Sequence, residues 1–292
     1  MSLAMQQVVI ISGPTAAGKT AKSIDMARKL GAEIISCDSV QVYKHMDIGS
    51  AKVDAETMRE IPHHLIDVCE PSRQFSVGEY VELAREKLKD IARRGSCAVV
   101  VGGSGFYLKA WFAPVSDDIE IPEKIKNFCL KLNFEEQVNK LLELDSEAAE
   151  FVDIKNPRRV RPALERMLAS GLSLRELSEK FAKLPCPMGE IEREFIMVDL
   201  PDEEIFANAQ RRVKEMLDRG LVEETRKLIE LGFEKNPSAA NSIGYRETLE
   251  AIKSGDFSDL EEKICLSTKQ LIKKQRKFFK NALFKNTNYA QS

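Results

Sequence analysis

The residues with the clearest chemical use lie in GPTAAGKT, which fits G-x-x-x-x-G-K-[ST] in full through Gly13, Gly18, Lys19 and Thr20. Glycines let a backbone curl until several N–H groups converge on one anion. A helix starting here would add the positive end of its dipole. Gly13, Pro14, Thr15, Ala16, Ala17, Gly18, Lys19 and Thr20 are therefore the candidate phosphate cradle. Lys19 would reach the terminal phosphates, and the Thr20 hydroxyl would ligate Mg²⁺. The loop implies a polyphosphate. It leaves open a nucleoside triphosphate, a kinase donor or another diphosphate ester.

Asp38 is the second chemical signal. A carboxylate beside a phosphate loop can hold Mg²⁺ through water, or act as a general base toward a nucleophile brought to the phosphate. It can also simply cap a turn. The neighbouring Ser39 and Gln41 favour the base, since Gln can pair with the amine and N7 edge of adenine. Tyr43 could stack on a base, although packing is its default. A second glycine loop, Gly102–Gly105, would let backbone approach the same ligand, with Ser104 as a hydrogen-bonding group. The adjacent His63 and His64 in IPHHLID read as a loop with no assigned role.

These residues need elements to hold them. The apolar run VVIIS precedes the first loop, and a helical run closed by Gly31 follows it. EIISC (33–37) reads as a second strand leading into Asp38. Ser76 and Glu79 have capping-box spacing and open a helix that Gly95 closes. CAVVV (97–101) is a buried strand that runs into the second glycine loop. Strands alternating with helices imply a parallel sheet, with the ligand beyond the carboxyl ends of its strands. The fold class is α/β, a phosphate-loop core flanked by helices. From about Pro114 a charged linker, SDDIEIPE, gives way to three or four short helical runs. The expected division is a core of 1–114 with 190–292, and a helical insertion of 115–189. The strand pattern resumes at FIMVDL (195–200), followed by a helix with Ile205, Ala209, Val213 and Met216 on one face.

The chain has 292 residues, 43% apolar and 31% charged, as expected of a soluble enzyme. A net charge of −2 excludes a global field that would draw it onto nucleic acid, so any such binding must come from local patches. Six cysteines without a C-x-x-C pair, and three histidines, argue against a zinc site or a disulfide framework. No stretch is long enough to span a membrane, and no signal-peptide pattern is present, so a cytoplasmic protein is expected. Two basic patches stand out. Lys269, Lys273, Arg276 and Lys280 share a helix face, and NPRRVR (156–161) lies in the insertion. Each is either a solvated face or a contact surface for a phosphate backbone.

Several segments together resemble the tRNA dimethylallyltransferase family, also called tRNA isopentenyltransferase. They are GPTAAGKT (13–20), DSVQVYKHMDIGSAK (38–52), IPHHLIDV (61–68), VVVGGSGFYLKA (99–110), IGYRE (243–247) and KQLIKKQRKFF (269–279). They run in family order along most of the chain. The resemblance implies transfer of a dimethylallyl group from its diphosphate to the N6 amine of the adenine just 3′ of the anticodon. The tRNAs would be those reading codons that begin with U. The phosphate loop would then hold a diphosphate that leaves intact, with no ATP split. Asp38 would be the base, with Lys19 and Thr20 acting on the leaving group. The adenine would flip out of the anticodon loop to reach the site. The tRNA would touch Asp38, Ser39, Val40, Gln41 and Ser104, the stretch Arg158, Arg159, Val160 and Arg161, and Lys269, Lys273 and Arg276. The expected cofactor is Mg²⁺, the partners are the tRNA anticodon stem-loop and dimethylallyl diphosphate, and the expected state is a monomer.

The sequence also departs from the family pattern. Asn208 stands where the first of two arginines is usual, whereas Arg212 matches the second and is carried over as a diphosphate ligand. Pro162 replaces an arginine, and Asp153 a histidine, in the insertion. Two other readings share the phosphate loop: a small-molecule kinase with an Arg-rich lid, and a nucleotide-gated tRNA-binding module. The kinase leaves the basic C-terminal helix and the DSVQVY context unexplained.

Overall fold

The computed structural model describes residues 8–115, 119–189 and 191–280. The first seven residues, 116–118 of the expected linker, residue 190 and residues 281–292 lie outside the described residues. The chain divides into two compact units. One runs up to Phe112 and resumes at Pro187; the other is Ala113–Cys186.

The larger unit is built on a five-stranded parallel sheet: β1 (Val8–Ser12), β2 (Glu33–Ser36), β3 (His63–His64), β4 (Ala98–Val101) and β5 (Arg193–Met197). The strand order is β3-β2-β4-β1-β5. Short strands rich in Val and Ile pack in such a sheet because helices cover both faces. Every residue of β1 is buried accordingly. The helices are α1 (Lys19–Leu30), α2 (Ala55–Glu60), α3 (Val77–Arg93) and the short α4 (Gly105–Lys109). Ser76 and Glu79 form the reciprocal capping box at the start of α3.

The order of strands decides where chemistry can happen. β4 is inserted between β2 and β1, so four adjacent strand ends carry Asp38, Gly102–Ser104, the phosphate loop and Val198–Leu200. Hydrogen bonds knit these ends together. Cys37 N donates to Val101 O at 2.7 Å, Gly102 N to Ile11 O at 3.3 Å, and Val198 N to Ser12 O at 2.7 Å. The Ser12 hydroxyl donates to Gly102 O at 2.6 Å.

The smaller unit holds α5 (Glu123–Lys131), α6 (Phe134–Leu144), α7 (Ala148–Phe151), α8 (Pro157–Ser170) and α9 (Leu174–Ala182). Its own core gathers Cys129, Leu141, Val160, Leu164, Met167 and Leu177. The larger unit then continues with α10 (Asp202–Asp218), α11 (Leu221–Glu230), α12 (Pro237–Ala240), α13 (Tyr245–Ser254) and α14 (Leu260–Phe279). Ile205, Ala209, Val213 and Met216 form the buried face of α10, as their spacing predicts.

Three elements differ from the sequence expectations. IPHHLID contains a strand, β3, because Ile34 and Ile35 pair with His63 and His64. The fifth strand spans Arg193–Met197 rather than 195–200, since its ladder runs beside Val8–Ser12 and backbone pairing is indifferent to the charge of Arg193 and Glu194. The basic run near the C-terminus is only the second half of α14, which begins at Leu260.

Candidate active site

The phosphate loop leaves β1 at Ser12 and enters α1 at Lys19. Gly13 is obligatory here: its φ is 149°, and a Cβ would lie 1.9 Å from Val198 O. Lys19 Nζ donates to Pro14 O at 2.7 Å, folding the side chain back over its own loop. Burial lowers the Lys19 pKa to about 8; Arg212 pushes the same way, while Asp38 and Asp199 oppose it. Burial also lowers the Arg212 pKa, opposed by Asp38 and Glu215. Lys19, Arg212 and Asp38, from α1, α10 and the end of β2, therefore share one electrostatic field. Among the described residues Arg212 has no hydrogen-bonding or ion-pair partner, so its charge remains available for an anion. Thr20 is exposed in the first turn of α1, and its hydroxyl has no partner among the described residues. Asn208 donates to Ala16 O at 3.3 Å and accepts from Arg211, so it braces the loop without supplying the charge of an arginine.

Asp38 is half-buried at the end of β2. Its Oδ1 accepts from Val40 N at 2.8 Å and from Gln41 N at 3.3 Å. Oδ2 has no partner among the described residues. One oxygen thus fixes the turn and the other is left to meet a proton donor. Beneath it, burial pushes the Cys37 thiol up to about 12, so the neighbouring side chain stays neutral.

The residues expected to read the base have other partners. The Gln41 amide accepts from Ser36 Oγ at 3.0 Å and donates to Ser50 O at 3.2 Å. Tyr43 is fully buried, and its hydroxyl accepts from Phe75 N at 3.3 Å, so it is packing and not a stacking surface. Ser39 is exposed. Its N–H donates to Ser104 Oγ at 2.8 Å, and the two hydroxyls lie 3.1 Å apart. Ser104 is therefore the link between the second glycine loop and the Asp38 turn. Gly102 allows that approach, since a Cβ there would sit 2.0 Å from Cys37 O.

The scaffold behind Asp38 uses residues that the sequence reading left without a role. Lys52 is almost fully buried and donates to Tyr43 O, Asp47 and Asp67. Glu224 accepts the backbone N–H groups of Asp47, Ile48 and Gly49, and the Tyr245 hydroxyl at 2.6 Å. DSVQVYKHMDIGSAK and IGYRE meet through that carboxylate. His64 bonds Glu33, which Arg94 also grips with two hydrogen bonds, so the histidine pair is structural.

The basic segments divide. On α8, Arg158, Arg159 and Arg161 are exposed. Arg161 lies 3.6 Å from Glu165, and the other two have no ion-pair partner among the described residues. Val160 is fully buried in the core of the helical unit, so its side chain is unavailable to any ligand, contrary to expectation. Pro162 lies inside α8, where it removes one backbone donor. On α14, Lys273 is exposed, and Lys269 Nζ lies 5.6 Å above the Phe206 ring. Arg276 is not a free cation: its guanidinium is bound by Asp199, Asp202 and Leu200 O. The adjacent Gln275, unremarked in the sequence, bonds both glycine loops.

Comparison with known proteins gives the family. The family model described as IPP transferase matches residues 41–282. A tRNA dimethylallyltransferase from Opitutus terrae is 42% identical over 275 residues, covering 94% of this chain and 90% of that protein. One from a Thermoanaerobacter species is 36% identical, covering 94% and 89%. The crystal structure of the tRNA isopentenylpyrophosphate transferase from Bacillus halodurans superposes with a TM-score of 0.71 at 30% identity, over 98% of this chain and 89% of that one. A eukaryotic dimethylallyltransferase captured acting on tRNA gives 0.82 at 27% identity, over 95% of this chain and 71% of that one. With the phosphate loop, the Asp38 turn and the second glycine loop gathered on adjacent strand ends, this chain belongs to the IPP transferase family, that of the tRNA dimethylallyltransferases.

Proposed function

We propose that the protein transfers a dimethylallyl group from dimethylallyl diphosphate to the N6 amine of the adenine 3′-adjacent to the anticodon, in tRNAs reading codons that begin with U. One observation carries the reading. Two cations with lowered pKa values, Lys19 and Arg212, share a field with a carboxylate whose Oδ2 is uncommitted. The cations suit a diphosphate, and the carboxylate suits an N–H that must be removed.

The adenine amine is a weak nucleophile because its lone pair is delocalised into the ring. In the transfer, N6 forms a bond to the allylic carbon. The carbon–oxygen bond breaks, and its electron pair leaves on the diphosphate. The amine proton passes to Asp38 Oδ2. Val40 N–H and Gln41 N–H hold Oδ1, so the turn need not rearrange as the proton arrives. Lys19, Arg212 and the N–H groups opening α1 offset the charge growing on the leaving group. Low-pKa cations in a shielded site interact more strongly with that charge than solvated ones would.

Mg²⁺ fits this site in one particular way. No cluster of three His, Cys, Asp or Glu side chains that could cage a metal exists among the described residues. The Thr20 hydroxyl is the protein ligand on offer, and Mg²⁺ is commonly held by few protein groups plus substrate phosphates and water. Bound there, it would supply further positive charge to the leaving diphosphate.

Exposed Arg158 and Arg159, with Lys269 and Lys273, would grip the anticodon stem-loop through its phosphates. Local patches suffice for this at a net charge of −2. Among the described residues no helix is long and apolar enough to cross a membrane. Action on tRNA implies a cytoplasmic setting, and a monomer suffices because every group invoked lies in one chain.

The test is direct. The protein is incubated with Mg²⁺, dimethylallyl diphosphate and a tRNA carrying adenine 3′ of its anticodon, and the digested nucleosides are weighed. A five-carbon gain on adenosine that requires the diphosphate is expected. ATP consumption with a small acceptor and no such gain would replace this reading with a kinase.

A further inference from the structure

Gln275, on α14, touches both glycine loops. Its Oε1 accepts from Thr15 N at 2.8 Å, inside the phosphate loop. Its Nε2 donates to Gly103 O at 3.1 Å, inside the second loop. The amide lies close against the second loop. A Cβ on Gly103 would lie 2.7 Å from Nε2 and 3.0 Å from Gly13 O. The next residue after Gly103 is Ser104, whose Oγ accepts from Ser39 N beside Asp38. An unbroken run of contacts therefore leads from Thr15 through Gln275, Gly103, Ser104 and Ser39 to the turn that presents Asp38.

We propose that Gln275 is a positioning residue that couples the donor-holding loop to the acceptor-holding turn, so that occupancy of one site tightens the other. The inference rests on the reading that Gly13–Thr20 holds the diphosphate and the Asp38 turn receives the adenine. The requirement for an amide is chemical. Thr15 offers a donor and Gly103 an acceptor, and a neutral amide satisfies both with one side chain. A carboxylate would satisfy only Thr15 and would place a negative charge next to a diphosphate. An ammonium would satisfy only Gly103. Arg276 completes the device from the neighbouring position. Gripped by Asp199 and Leu200 O after β5, it fixes the turn of α14 that carries the amide. The second half of α14 thereby acts on the chemistry from behind the loops. A small shift between attacking amine and allylic carbon is costly, since misplacements near 1 Å lose about a hundredfold in rate.

The experiment reads coupling as well as turnover. An anticodon stem-loop RNA is titrated into the protein with and without Mg²⁺ and inorganic pyrophosphate; the ratio of the two dissociation constants measures coupling between the sites. Single-turnover transfer from dimethylallyl diphosphate is followed in parallel. In the unmodified protein pyrophosphate should tighten RNA binding by about fivefold or more. Gln275→Leu should bring that ratio to about one and slow transfer by about ten- to a hundredfold. Each separate affinity should stay within about threefold, and the melting temperature within about 3 °C. Gln275→Glu, which keeps the acceptor for Thr15 and loses the donor for Gly103, is the second variant and should lose the ratio too. A coupling ratio of one in the unmodified protein overturns the proposal. So does a ratio that survives in either variant, or a fall in both affinities with the ratio unchanged. Failure of the unmodified protein to make the five-carbon product would instead remove the reaction reading, while the binding ratio still decides the role of Gln275.

Discussion

Helices α8 and α14 carry basic runs that look alike as text, NPRRVR and KKQRK, but the fold uses them differently. On α8 the buried face is Val160, Leu164 and Met167, and Arg158 and Arg159 stand in solvent without partners among the described residues. On α14 Ile272 and Phe279 are buried, and Arg276 with Gln275 turn toward the sheet ends. A cation in water suits a grip on RNA phosphates, since its contribution is long-ranged, adaptable and easily screened. A cation held by two carboxylates and a carbonyl has little left to give a ligand and serves the fold. Composition alone therefore cannot assign a basic helix to nucleic acid; the partners of each charge decide.

The sharpest perturbation concerns neither helix but the proposed base. Asp38→Asn preserves an Oδ1 acceptor for Val40 and Gln41, so the turn should persist while the base is lost. Turnover should fall about 10²- to 10⁴-fold, with tRNA affinity within about tenfold, measured by transfer kinetics and equilibrium binding. Equal losses of affinity and turnover would make Asp38 a binding residue.

Next in size is the contrast between the helices. The double variant Arg158→Ala with Arg159→Ala should weaken stem-loop binding at least about tenfold and reduce the slope of log affinity against log salt by about 1.5. Its melting temperature should not move. Binding titrations over a range of salt check this. An unchanged slope would remove α8 from the RNA interface.

The phosphate loop yields a pH effect of similar size. Lys19 has a lowered pKa of about 8, so it is charged below that pH and neutral above it. A bound diphosphate favours the charged form. Affinity for pyrophosphate is thus full below about pH 8 and should fall by up to about tenfold per unit above it, with proton uptake on binding. Calorimetry in buffers of different ionisation enthalpy measures both. Lys19→Arg, which does not titrate in this range, should lose the proton uptake.

The smallest effect completes the comparison. Arg276→Ala should lower stability by about 1–3 kcal/mol, because Asp199 and Asp202 lose their shared partner. The salt slope of RNA binding should remain that of the parent. A changed slope with unchanged melting would return Arg276 to the RNA-facing role that its spacing suggests.

Much of the site was legible before any coordinates. GPTAAGKT prescribes its own geometry, because the left-handed Gly18 and the crowded Gly13 leave little choice of residue. The capping box of α3 and the buried face of α10 are local rules of spacing, and both read correctly. Less legible were β3, whose two residues become a strand only by lying beside Ile34 and Ile35, and the roles of Gln41 and Tyr43. Those two side chains are of types that read bases, but the loop through Ser50 and the packing at Phe75 claim them first.

By itself the sequence determined a phosphate-loop pattern at a strand-to-helix turn, a carboxylate at a neighbouring strand end, and motifs that resemble one family. These follow from short-range chemistry: glycine conformations, apolar runs and fixed spacings. Only the tertiary structure decided which polar groups remain uncommitted. Among the described residues it left Asp38 Oδ2, Arg212 and the Thr20 hydroxyl without partners, and it assigned Arg276 and Gln275 to partners 77 and 172 residues away along the chain. Hydrogen bonds at such separations depend on how helices pack against the sheet, and local sequence pattern carries no record of that packing.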